Sequence, residues 1–66
     1  MIEPYQARLE TAGRRVEEQE QLVAVWRETI NSLRKEGQST ELAEKMLQLM
    51  DGRLGAFRAD LARLAN

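Results

Sequence analysis

Two stripes of apolar and small residues, repeating in alternating steps of four and three, constrain this chain more than any other feature. Such steps place side chains on one face of an α-helix, and their alternation is the heptad pattern of helices that pack side by side. The sequence therefore predicts an all-α fold. The first stripe comprises Tyr5, Leu9, Ala12, Val16, Gln19, Val23, Trp26, Ile30 and Leu33, and the second comprises Ala43, Leu47, Met50, Leu54, Phe57, Leu61 and Leu64.

Residues at the ends of the stripes indicate where the helices begin and end. Pro4 suits the first turn of a helix, where its missing N–H costs nothing, and Arg34 and Lys35 place positive charge near the last carbonyl groups. We expect one helix over about 4–36 and a second over about 40–64, in one domain covering 1–66. Composition agrees, because Ala, Leu, Glu, Arg and Lys supply 36 of the 66 residues, as they do in long helices.

The pattern breaks only between the stripes, in a segment that is typical of a tight turn. Gly37 stands where a helix C-terminus favours a left-handed residue. Ser39 or Thr40 can cap the next helix through its hydroxyl group. Because so short a loop makes its two helices antiparallel neighbours, we predict a helical hairpin.

Folding the chain about this turn sets the pairing of residues across the hairpin. Tyr5 and Leu9 then have few or no partners in the same chain, so we expect another molecule to cover them. The predicted pairs include Leu33 with Ala43, Ile30 with Leu47, Trp26 with Met50, Val23 with Leu54, and Gln19 with Phe57.

Further apolar residues lie beside the stripes, and a lone hairpin would leave them exposed. A chain below roughly 70–80 residues seldom gains enough stability from one core, and without cysteine or histidine it has neither disulfides nor histidine-based metal sites to add. We therefore predict self-association, in the commonest form a twofold homodimer that makes a four-helix bundle. The predicted interface comprises Tyr5, Leu9, Leu22, Val25, Trp26, Leu42, Met46, Leu49 and Met50.

Two features of the stripes leave alternatives open. Gln19, the one fully polar member of the first stripe, either is buried, where it would fix register and oligomeric state at a cost in stability, or lies at the edge with its amide in water. Trp26, Met46 and Met50 form either plain core or an adaptable surface for a partner helix, since methionine repacks readily and tryptophan often anchors interfaces.

Gly52 and Gly55 lie inside the second helix, where each costs about 0.8–1 kcal/mol relative to alanine. Glycine lets a neighbouring helix or a large side chain approach closely. The two glycines are therefore either a tolerated, slightly weakened part of the helix or a site of close packing, for which Trp26 is the nearest large partner. We favour close packing and expect Trp26 to lie near them.

Residues with catalytic or ligand-binding chemistry are scattered. Glu17, Glu18 and Glu20 could serve as paired carboxylates or metal ligands, but adjacent residues on a helix point apart, so we interpret them as a solvated face. We expect no enzyme activity, no cofactor, no metal and no small-molecule substrate. Arg14 and Arg15 lack the interleaved aromatic residues that stack bases, and the net charge is −1, so we expect no nucleic-acid partner.

Hydropathy predicts a soluble protein. No apolar run approaches the ~18 residues of a membrane span, and the opening "MIEPYQARLE" lacks a basic region followed by an apolar one. The missing cysteines fit a reducing compartment. We expect a cytoplasmic protein with no membrane partner.

The stretch "EQEQLVAVWRETINSLRKEGQSTELAEKMLQLMDGRL" resembles segments of small bacterial proteins of uncharacterised function, especially α-proteobacterial ones. Their pattern is a Gln-containing helix, a Leu-x-x-x-Gly turn, and then Thr-x-x-Ala-x-x-x-Leu. The resemblance covers about half the chain and implies a bacterial helical hairpin with nothing catalytic. The matching residues are Gln19, Ile30, Leu33, Gly37, Thr40, Ala43 and Leu47.

These observations support three functional hypotheses. The first is a non-enzymatic helical module that acts in interaction or oligomerisation and self-associates through its heptad stripes. The second is a small regulatory adaptor whose exposed apolar residues bind a helix of another protein. The least favoured is a nucleic-acid-binding accessory protein.

Overall fold

The computed structural model describes residues 4–66, which form two helices and no strand. Helix α1 spans Pro4–Lys35 and helix α2 spans Glu41–Ala65. The two helices pack against each other in a hairpin with principal dimensions of 53 × 18 × 13 Å. The predicted all-α hairpin is confirmed, and each helix begins and ends within one residue of the predicted position.

The turn closes α1 with the left-handed glycine that the sequence predicts. Gly37 has a φ of +71°, and its N–H donates to the Arg34 carbonyl at 3.0 Å. The Gln38 N–H donates to the Leu33 carbonyl at 2.9 Å. Together these two bonds make a Schellman motif, which satisfies carbonyl groups that a helix end otherwise leaves without partners.

The start of α2 distinguishes between the two candidate caps. Thr40 occupies the N-cap position, but its hydroxyl makes no capping hydrogen bond. Instead, the Glu41 N–H donates to Ser39 Oγ at 3.4 Å, and the Glu44 N–H donates to the Thr40 carbonyl at 2.8 Å. Ser39 therefore supplies the hydroxyl group, while Thr40 contributes only its backbone. The Lys45 and Glu41 side chains form an ion pair at 3.8 Å one turn apart.

The seam between the helices forms a thin core. No large side chain among residues 4–66 is fully buried, and many stripe residues, such as Val16, Leu47 and Phe57, are only half-buried. Two helices in contact cover one side of each other and no more. The buried apolar residues are Ala12, Val23, Ile30, Ala43 and Leu54.

Tyr5 has a partner within the chain, in contrast to the expectation of few or none. Its hydroxyl donates to the carbonyl of Leu64, near the end of α2. The long side chain spans part of the distance by which α1 extends beyond α2. Tyr5 as a whole nevertheless remains 52% exposed, and Leu9 is half-buried. One polar contact therefore ties down the first turn of α1, while about half of the Tyr5 surface stays accessible to another molecule.

Gly52 and Gly55 do not support the close approach that we expected. Both are exposed, and a Cβ atom added at either would meet nothing within 4 Å. The expectation that Trp26 packs near them is therefore wrong within the hairpin. The physical reason is that their positions on α2 face away from α1.

Candidate interaction surface

Ion pairs between the helices line one side of the seam. On each helix the members lie seven residues apart, so they form one row. Each pair directly follows a predicted core pair, which supports the predicted antiparallel register. All are solvent-exposed, so each contributes at most about 1 kcal/mol. The pairs are Arg34 with Glu44 at 3.1 Å, Arg27 with Asp51 at 4.0 Å, and Arg58 with Glu20 at 3.1 Å.

The opposite side of the seam carries exposed apolar side chains near the turn. We call Leu22, Val25, Leu42, Met46 and Leu49 the apolar strip. Four of them are among the most exposed large hydrophobic residues: Leu42 at 74%, Leu49 at 61%, Val25 at 55% and Leu22 at 45%. Met46 is half-buried. Together with Tyr5, the strip contains the members of the predicted interface that the hairpin leaves most exposed.

A shallow groove between the helices runs beneath the strip. The Trp26 side chain is half-buried there, which places it between the two alternatives of plain core and open surface. Leu22, Trp26 and Leu33 follow steps of four and seven along α1, so they share one side of that helix. The groove is lined by Trp26, Thr29, Leu33, Ser39, Leu42, Ala43 and Met46.

The same side of the hairpin becomes charged towards its open end. The heptad row on α1 runs through Arg8, Arg15, Leu22 and Thr29, and the row on α2 runs through Met46, Arg53 and Asp60. Because the helices are antiparallel, Thr29 and Met46 lie nearest the turn, Leu22 and Arg53 lie level with each other near the middle, and the remaining charged members lie towards the chain ends. This face therefore carries its exposed apolar side chains on the half nearer the turn and charged side chains on the other half, with Arg53 at the boundary.

The charged half has side chains of both signs. A groove there is lined by arginines and by Asp60, which forms an ion pair with Arg63. Phosphate groups favour concentrated positive charge, whereas this groove places a carboxylate among its cations. The lining residues are Ala7, Arg8, Thr11, Ala12, Arg15, Asp60, Arg63 and Leu64.

Gln19 is buried in the seam, with 4% of its surface exposed. Its side-chain Nε2 donates to the Met50 carbonyl at 3.0 Å and lies 3.3 Å from the Met50 sulfur. The predicted partner was Phe57, seven residues further along α2. The difference arises because helix carbonyls point towards the C-terminus, which brings the Met50 oxygen towards Leu54 and within reach of a flexible amide. The buried alternative for Gln19 is therefore the correct one.

The three acidic residues singled out from the sequence lie in different surroundings. Glu17 and Glu18 are exposed, and Glu20 is engaged with Arg58. Within 4–66, no three or more acidic side chains are grouped so as to hold a metal ion. Neither α1 nor α2 has the length and apolar character needed to cross a membrane.

Comparison with known proteins returns no match to a family model, to a curated protein or to a solved structure. The resemblance to small bacterial helical-hairpin proteins therefore stays a prediction from the residues.

Proposed function

We propose that this protein is a non-enzymatic helical module that self-associates into a homodimeric four-helix bundle through its apolar strip. The observation that carries the proposal is the exposure of Leu22, Val25, Leu42 and Leu49 on one side of the hairpin. Scattered exposed leucines are ordinary on protein surfaces, but contiguous apolar surface marks an interaction site.

The thin core gives the proposal an energetic basis. Apolar surface removed from water contributes about 25 cal/mol per Å², and the seam fully buries no large side chain among residues 4–66. A second hairpin laid over the strip would bury the strip, complete the burial of Trp26 and Met46, and cover the groove. Self-association then becomes part of folding rather than an event between stable monomers.

The ion pairs on the other side of the seam make that side a poor interface, which leaves the apolar strip as the better candidate. Glu20, Arg27 and Arg34 on α1 and their partners on α2 already neutralise one another on that side. Burying exposed ion pairs against another molecule costs desolvation energy that their attraction seldom repays. The apolar strip is the face whose burial needs no such compensation.

A regulatory adaptor is the alternative proposal, in which the strip binds a helix of a different protein. Met46 and Met50 favour this alternative, because methionine side chains adapt to varied helical partners. The two proposals differ only in what covers the strip. A cytoplasmic location and the absence of an enzymatic role remain predictions from the sequence.

The experiment compares two glutamate substitutions at neighbouring exposed positions of α1. Val25→Glu places a charge within the strip, and Ala24→Glu places the same charge one residue away, off the strip. Because a carboxylate buried at an interface costs several kcal/mol, we expect Val25→Glu to weaken dimerisation by at least about a hundredfold. Sedimentation equilibrium should show Ala24→Glu associating like the unmodified chain. Equal dimerisation by both variants would contradict the strip as the interface.

A further inference from the structure

We infer that two copies pack strip to strip with their turns at the same end, so that Arg15 of each copy lies opposite Asp60 of the other. This arrangement rests on the proposed self-association. It adds the relative direction of the hairpins and a charge contact that fixes that direction. The structural basis is the division of one face into an apolar half near the turn and a charged half near the chain ends.

The position of the strip excludes one dimer geometry. If two hairpins overlapped fully with their turns at opposite ends, the strip of each copy would lie against the charged half of the other. Val25 and Leu49 would then bury Arg15 and Asp60 without matched partners, which carries the full desolvation cost of those charges. Turns at the same end instead place apolar half on apolar half.

The charged half is self-complementary in the chosen geometry. A twofold axis parallel to the helices places α1 of one copy against α2 of the other. Arg15 and Asp60 line the same groove of the hairpin, and the register in which Val23 pairs with Leu54 places them at nearly the same level along its length. The rotation therefore brings Arg15 opposite Asp60 of the second copy. One heptad nearer the turn it brings Leu22 opposite Arg53, whose long side chain can pack along the leucine and reach Glu18 one turn away. Opposite charges across an interface favour one register and disfavour others.

Interface size separates this geometry from a staggered one. Two hairpins with turns at opposite ends could overlap only near the turns and still bury both strips. Full overlap uses a face of 53 by 18 Å, comparable to the roughly 800 Å² per partner of a standard interface. The staggered dimer would use about half of that face and would leave the charged rows unpaired. Full overlap with the turns at one end is therefore favoured both by the area that it buries and by the charges that it pairs.

Spin-label distances measure the arrangement directly, and a chain without cysteine allows single-site labelling. Gln38→Cys places a nitroxide at the turn, and Ala65→Cys places one at the far end of α2. Both positions are exposed. In a bundle with helices about 8–10 Å apart, labels at the same end lie within about 30 Å of each other. Labels at opposite ends of a molecule 53 Å long lie far beyond that range.

The outcomes distinguish the geometries from one another and from failure of the proposed function. Short distances at both sites support the inference. Long distances at both sites, or a short distance for Gln38→Cys with a long one for Ala65→Cys, would overturn it while leaving the dimer intact. If sedimentation showed a monomer at every concentration, the inference would be overturned together with the proposed self-association. That result would favour a helix of another protein as the occupant of the strip.

Charge reversal provides a second test that leaves the strip unchanged. Arg15→Glu and Asp60→Arg each create like-charge contacts across the dimer, and we expect each to weaken dimerisation by about threefold to tenfold. The double variant restores opposite charges and should recover most of the affinity. Additive losses in the double variant would contradict the proposed contact. Circular dichroism at concentrations where each variant is dimeric checks that the hairpin itself is retained.

Discussion

The side-chain amide of Gln19 donates to the backbone carbonyl of Met50 across the hairpin, at 3.0 Å. This bond joins the middle of α1 to α2 at a position where neighbouring seam residues contribute only apolar contacts. A buried amide needs such a partner, because an unsatisfied one costs about 1–3 kcal/mol. The bond therefore ties one polar position on α1 to one turn of α2.

Replacing the Gln19 amide should raise the stability of the protein and lower the specificity of its association. We expect Gln19→Leu to raise the free energy of unfolding by about 1 kcal/mol and the melting temperature by about 4–8 °C, since an apolar side chain fills the seam without a desolvation cost. We also expect a broader distribution of oligomers, because the register loses its polar constraint. Thermal denaturation and sedimentation velocity measure the two effects. The control is Gln21→Leu at an exposed position, and unchanged behaviour of both variants would contradict the role assigned to Gln19.

Alanine at Gly52 and Gly55 should stabilise the protein. An added methyl group meets nothing within 4 Å at either position, and alanine is favoured over glycine inside a helix by about 0.8–1 kcal/mol. We expect each substitution to raise the free energy of unfolding by about that amount, with an unchanged oligomer. Chemical denaturation measures the first quantity and sedimentation the second. A destabilised variant would indicate that another molecule packs against these glycines.

The same substitution at the turn should have the opposite effect. Gly37 has a φ of +71°, which a residue with a Cβ atom adopts only with strain. We expect Gly37→Ala to lower the free energy of unfolding by about 1 kcal/mol, because the left-handed conformation costs that much for an L-residue. Urea denaturation compares this variant with Gly55→Ala, which makes the same chemical change in open space. A stabilising Gly37→Ala would contradict the conformation of the turn.

The two hydroxyl residues before α2 should differ in their contributions. Only the Ser39 hydroxyl accepts a hydrogen bond from the start of α2, from the Glu41 N–H. We expect Ser39→Ala to cost about 0.5–1 kcal/mol, in the range for capping residues, and Thr40→Ala to cost less. Amide hydrogen exchange at residues 41–44 reports the local effect. A larger loss in Thr40→Ala would indicate that its hydroxyl forms the cap.

Sequence periodicity predicted the hairpin well because it directly encodes which face of each helix is apolar. Steps of four and three located both stripes, and Gly37 marked the break, since glycine is the residue that most readily adopts its left-handed conformation. Most of the predicted interface also lies on one side of the hairpin. Leu22, Val25, Leu42 and Leu49 are exposed there as expected.

Other features were beyond sequence reasoning for physical reasons. Periodicity does not specify how far a flexible side chain reaches along a neighbouring helix, so the bond from Gln19 to Met50 and the contact of Tyr5 with Leu64 were missed. A glycine inside a helix is compatible with both a closely packed neighbour and an open surface, so the sequence did not reveal which surrounds Gly52. The division of one face into apolar and charged halves could have been found, because the row from Arg8 through Arg15 to Leu22 is visible in the sequence.

The central claim is that a second copy covers the apolar strip. Molar mass from light scattering, taken over a dilution series with helical content followed by circular dichroism, tests it most directly. The account predicts a dimer at high concentration whose dissociation on dilution is accompanied by loss of helicity, because the thin seam does not hold the hairpin alone. A fully helical monomer throughout the series would contradict the account.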